Sequence, residues 1–128
     1  MFMRKTLDVV TLFHKATSPG SLKVLATLKD AAAKATANTG VRDQFKLDVT
    51  ESPPTLDQLQ CIIEYMKQPK PESAVIRGAN NTEEAFKKFK ETPNSFQRPV
   101  VVDWTGGRAI ASEDESEILK MLAASKKQ

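Results

Sequence analysis

At 128 residues, 40% hydrophobic and 27% charged, the sequence has the makeup of one globular domain spanning residues 1–128, long enough to bury roughly two-thirds of its unfolded surface without cross-links. A formal net charge of +3 with scattered basic residues argues against a nucleic-acid partner, and the Lys87, Lys88 and Lys90 group reads as a solvated helix face beside Glu83, Glu84 and Glu91. One cysteine and one histidine rule out an internal disulfide and a His/Cys metal cage, and no apolar run reaches the length of a membrane span.

The opening Met1 to Thr6 is basic but too short for an amphipathic targeting helix, and composition points to an intracellular, reducing compartment and a monomer. Leu7 to Phe13 is rich in β-branched and aromatic residues and reads as a first strand. Ser18-Pro19 then marks a helix start, the hydroxyl as cap and the proline in the first helical position. Leu22, Leu25 and Leu28 fall at helical spacing in an alanine-rich run to about Ala37, and Asn38-Thr39-Gly40 ends it.

Phe45 to Val49 alternates apolar and polar residues, the pattern of an edge strand. Thr55 and Gln58 form a capping box for a helix that buries Leu59, Ile62, Ile63 and Met66. Lys67 to Asn81 reads as a surface connection around Ala74-Val75-Ile76. Thr82 is expected to cap a short helix that turns Ala85, Phe86 and Phe89 inward.

Gln97 to Ala109 is the stretch around which the rest is organised. Three valines and Trp104 predict a central strand buried on both faces, with Pro99 at its head and Thr105-Gly106-Gly107 supplying a hairpin turn. Arg108 to Ala111 forms the return strand. Ser112 and Glu115 predict a second capping box, Ile118, Leu119 and Leu122 a C-terminal helix, and Ala124 to Gln128 a frayed end. The element order implies an α/β fold: a four-stranded mixed sheet of two parallel N-terminal strands and a C-terminal antiparallel hairpin, with helices on both faces.

Three segments carry a resemblance: Lys5 to Lys15, Pro53 to Gln60, and Arg98-Pro-Val-Val-Val-Asp-Trp104 followed by Glu115-Ser-Glu-Ile-Leu-Lys-Met-Leu122. Together they resemble the fungal DUF1687-type family of mitochondrial redox proteins with a thioredoxin-like fold. More distantly, the Arg-Pro strand and the turn from His14 to Ser21 are similar to the arsenate-reductase branch of thioredoxin-like proteins. The resemblance implies a thioredoxin-like oxidoreductase in mitochondria, with the cytoplasm as the alternative, and a cis bond before Pro99.

Laid over the arsenate-reductase turn, Ser18 falls where that branch carries its nucleophilic cysteine. Ser18-Pro19-Gly20-Ser21 likewise occupies the place of a Cys-x-x-Cys with both thiols replaced by hydroxyls. An unassisted serine has no disulfide chemistry, so Cys61 is the single candidate thiol nucleophile, expected to be partly exposed opposite the apolar stripe of its helix. By resemblance Arg98 and Arg108, and more weakly Arg77, match arginines placed around an oxyanion. From the residues alone, Arg98 beside Pro99 and the N-H groups of Ser18 to Ser21 would form an anion-attracting corner, whereas pairing of Arg98 and Arg108 with Asp103 or Glu113 would leave none. His14 is the one imidazole that could serve Ser18 as a base, against a plain capping role for that serine. Trp104 reads as a core or hairpin-covering residue.

The expected function is therefore a thiol-redox protein. The alternative is a catalytically degenerate module that binds an anion, a glutathione-like thiol or an extended peptide. No cofactor is expected beyond glutathione or another small thiol as co-substrate.

Overall fold

The computed structural model describes residues 8–37, 44–66 and 70–124. Leu7, the Asn38 to Gly40 stop and the tail after Ala124 lie outside them. The elements are β1 (Asp8–Phe13), α1 (Pro19–Thr36), β2 (Phe45–Thr50), α2 (Leu56–Tyr65), α3 (Pro71–Val75), α4 (Thr82–Glu91), a 3-10 turn at Pro93–Ser95, β3 (Val100–Asp103), β4 (Arg108–Ile110) and α5 (Glu115–Ala124). The sheet order is β2-β1-β3-β4. β1 runs parallel to β2, joined through α1, and antiparallel to β3, which turns back into β4. This is the mixed sheet that the element order implied.

Alternation along the two central strands divides the core. Val10 and Leu12 of β1 and Val101 of β3 face α1 and α5, packing on Val24, Leu28, Ile118 and Leu122. Phe13, Val100 and Val102 face the other way, onto α2, α3 and α4. All four β3 residues are buried, which is why three consecutive valines suit this position and no amphipathic pattern would. Gly107, at φ 67°, takes the left-handed conformation that the hairpin needs.

Caps agree with the sequence at Ser18, whose hydroxyl accepts from the Ser21 N-H, and at Thr55 with Gln58, where the reciprocal box is complete. Elsewhere they shift. Asn81 and not Thr82 caps α4, accepting from the Glu84 N-H at 2.9 Å. At α5 the carboxylate of Asp114 accepts from the Ser116 N-H at 2.8 Å, while Ser112 Oγ supports Asp114 from behind. In both places an Asn or Asp directly ahead of the first turn reaches the open N-H groups better than the neighbouring hydroxyl.

Two larger expectations are corrected. The buried stripe of α1 is Ser21, Val24, Leu28, Ala31 and Ala35, while Leu22 is 49% exposed and Leu25 half-buried. Small alanines let α1 approach the sheet, so the stripe follows them and not the leucines. The segment around Ala74-Val75-Ile76 is no surface connection. Pro71 starts a helical turn, Val75, Ile76 and Ala79 are buried, and the Gln97 N-H donates to the Val75 carbonyl at 2.7 Å. That bond ties the segment to the chain entering β3. Phe96 follows the same course, its ring edge-on to Phe13 at 5.4 Å and to Phe89 at 6.4 Å.

The α1 register gives a direct test by urea denaturation. Leu28→Ala is expected to cost about 2–5 kcal/mol and Leu22→Ala no more than about 0.5 kcal/mol. The reverse order would place the stripe where the leucine spacing put it.

Candidate functional site

The last residue of β1 to pair with β3 is Phe13, opposite Val100. One step further along each chain stand His14 and Pro99, so the register brings the imidazole and the proline to the same end of the sheet. The Arg98-Pro99 bond is cis. The His14 N-H donates to the Thr50 carbonyl at 2.8 Å, continuing the parallel ladder with β2 one residue past the end of β1.

The first turn of α1 closes over this end. Ser21, fully buried, places its Oγ 2.6 Å from His14 Nδ1 and accepts the Lys15 N-H at 3.0 Å. The Ser21 hydroxyl and the ring nitrogen are thus hydrogen-bond partners inside the fold. His14 is thus engaged by Ser21 and not by Ser18. Ser18 Oγ is occupied as the cap, 3.2 Å from the Ser21 N-H. Sequence reasoning treated Ser21 as half of a replaced dithiol pair. The spacing of seven between His14 and Ser21, across a turn of unknown shape, carried no signal of their bond.

Glu113, ahead of α5, lays its carboxylate over Gly20, where an added side chain would collide with it. A negative group thus rests on the first turn of α1, the positive end of that helix.

The arginines do not converge. Arg98 donates from Nη1 to the Glu51 carbonyl at 2.7 Å, at the Pro99 end of β3. Arg108 stands opposite Asp103 in the β3–β4 register, at the other end of that strand, about five residues or roughly 16 Å from Arg98 along the chain. The hairpin pairing that forms β4 enforces that separation. Arg77 sits on the turn after α3 and shares a cleft with Arg98, Lys15 and Lys88, which Ser18, Ser21, Pro99 and Arg108 do not line.

Cys61 is half-buried on α2, one turn ahead of Tyr65. Tyr65 meets Trp104 edge-on at 6.3 Å and lies against Gly107, so this thiol belongs to the hairpin end of the molecule, away from the α1 start. Trp104 bridges outward from the core, donating from Nε1 to Thr11 Oγ1 at 2.8 Å. Burial, and then the neighbouring Cys61 thiol, hold the Tyr65 phenol above its ordinary range. No group of three or more His, Cys, Asp or Glu residues that could hold a metal occurs among the described residues.

Residues 1–113 match the family profile described as "Protein of unknown function (DUF1687)". The chain belongs to this family. A protein of Schizosaccharomyces pombe named "Putative redox protein fmp46, mitochondrial" is 32% identical over 108 residues, covering 84% of this chain and 86% of its own length. No solved structure gives a significant match.

Two measurements check the site geometry. Ser21→Ala, which strands a buried ring nitrogen and the Lys15 N-H, is expected to cost about 1–3 kcal/mol in chemical denaturation. Ser18→Ala should cost about 1 kcal/mol, the value of a helix cap. A neutral Ser21→Ala would remove the buried pair from the account. The chain has one tyrosine, so absorbance titration of the phenolate reads Tyr65 directly. The midpoint is expected above that of a free tyrosine and to move down in Cys61→Ala. An unshifted midpoint in that variant would separate the two groups.

Proposed function

We propose that this chain is a mitochondrial thiol-redox protein of thioredoxin-like architecture. What carries the reading is the relative whose name records a redox protein of mitochondria, matched over 84% of the chain. The topology supports it: a parallel β1-α1-β2 unit beside an antiparallel β3–β4 hairpin, with α1 starting at the end of the sheet where Pro99 enters β3. That end is where thioredoxin-like proteins meet their ligands.

The chemistry departs from the usual form of such proteins. Hydroxyls stand where a dithiol would be, one committed to capping and the other to His14. The thiol available for exchange is Cys61, and its route is ordinary disulfide exchange. Its sulfur attacks one sulfur of a partner disulfide, the other leaves as a thiolate, and a second thiol such as glutathione resolves the mixed disulfide.

A specific observation favours a second reading, a thioredoxin-like domain that binds without turning over. Ser18 Oγ accepts the cap bond, Ser21 is fully buried against His14, and neither position carries sulfur, so the α1 corner has the parts to hold a thiol or an extended peptide but no thiol of its own to exchange.

Glutathione-dependent reduction of a small mixed disulfide decides between them. The redox reading expects turnover by the full chain and its loss, by tenfold or more, in Cys61→Ala. Equal rates in the two proteins would discard Cys61 as the nucleophile, and absence of turnover in both would leave the binding reading.

A further inference from the structure

Behind Arg98, where the 3-10 turn leads from α4 to β3, lies a cleft of about 600 Å³, within the size range of small-molecule sites. Four cations line it: Lys15 after β1, Arg77 after α3, Lys88 from α4, and Arg98. One carboxylate, Glu91, shares the wall. None of the four cations forms an ion pair with a described residue. The chain as a whole carries a formal charge of only +3, so this concentration is local and does not reflect a generally basic surface.

The cations are drawn together from separate parts of the chain. The ammonium of Lys88 reaches the Arg77-Gly78 turn, within 3.9 Å of where a side chain on Gly78 would begin. Four cations against the one carboxylate of the wall leave an excess of positive charge, and a bound anion relieves the repulsion among them. Two of the lining residues carry a buried polar atom that makes no hydrogen bond, Ser95 Oγ and Arg98 Nε. Each can donate a hydrogen bond that no described residue accepts.

We infer that this cleft is a binding site for a small polyanion, a molecule presenting a phosphate group or several carboxylates. Arg77, Lys88, Lys15 and Arg98 supply the charge, and Ser95 with Arg98 Nε the directed donors. Glu91 accepts from a hydroxyl or ammonium group elsewhere on the ligand. Phe96, whose ring is buried between Phe13 and Phe89, offers no surface for stacking, so recognition is by charge and hydrogen bonds and not through an aromatic base. The site is separate from the Cys61 thiol, and it stands whether or not the chain turns over disulfides.

Calorimetric titration of the full chain with sodium pyrophosphate and with citrate tests this. At least one probe is expected to bind, more weakly as salt is raised. Stronger binding of pyrophosphate assigns the site to phosphates, and stronger binding of citrate to polycarboxylates. Arg77→Gln and Lys88→Gln, both at exposed positions that leave the fold intact, should each weaken binding by roughly tenfold, about 1.4 kcal/mol. Ser95→Ala should weaken it with no change of charge, which a diffuse electrostatic attraction would not show. Arg108→Gln, on β4 and outside the cleft, should leave the titration unchanged. Absence of binding by either probe to protein with a normal thermal melt would overturn the inference, as would equal weakening in Arg108→Gln and Arg77→Gln.

Discussion

The antiparallel pairing of β1 with β3 is the contact from which the rest of the molecule takes its geometry. Both strands are buried on both faces, so their alternation assigns each helix a side: α1 and α5 above Val10, Leu12 and Val101, and α2 to α4 below Phe13, Val100 and Val102. A slip of one residue between these strands would exchange the two faces and leave both helical layers without a surface to cover. The same register carries His14 and Pro99 to one end of the sheet and Trp104 to the other, and so sets where every candidate functional group can lie.

Those groups fall into three regions. At the start of α1 a buried serine bonds a buried histidine and accepts the Lys15 N-H, making a well-fixed corner. At the hairpin end a thiol and a phenol sit together beside Trp104. Between α4 and β3 the cleft gathers four cations that form no ion pair with a described residue. The chain belongs to the DUF1687 family, and its α1 corner carries hydroxyls and no thiol, so that corner has no disulfide chemistry.

Strand identities, the parallel crossover and the hairpin were all legible in the sequence, because β-branched runs, Ser-Pro and Gly-Gly each act over a few residues. Features set by distant packing were not. The leucine spacing in α1 misplaces its buried face because Ala31 and Ala35 carry little apolar weight yet allow close approach to the sheet. The five-residue α3 is too short to show a period, and Val75 and Ile76 become core through their link to Phe96 and Gln97. The site divides the same way. Ser18 as a cap could be read locally, whereas the bond between Ser21 and His14 depends on how the turn between them folds. Lys88 looked like part of a solvated helix face beside three glutamates. Its proximity to Arg77 and Arg98 is a product of tertiary structure, as is the separation of Arg98 from Arg108 by the length of β3.

The outer position of β2 has a further consequence. A sheet of four strands that does not close on itself ends in backbone groups able to recruit a foreign strand, and β2 is one of its two margins. Along that margin Lys46 and Asp48 are exposed on either side of half-buried Leu47, placing opposite charges two residues apart. An incoming apolar segment would have to strip water from both to dock, which discourages indiscriminate self-association of the domain.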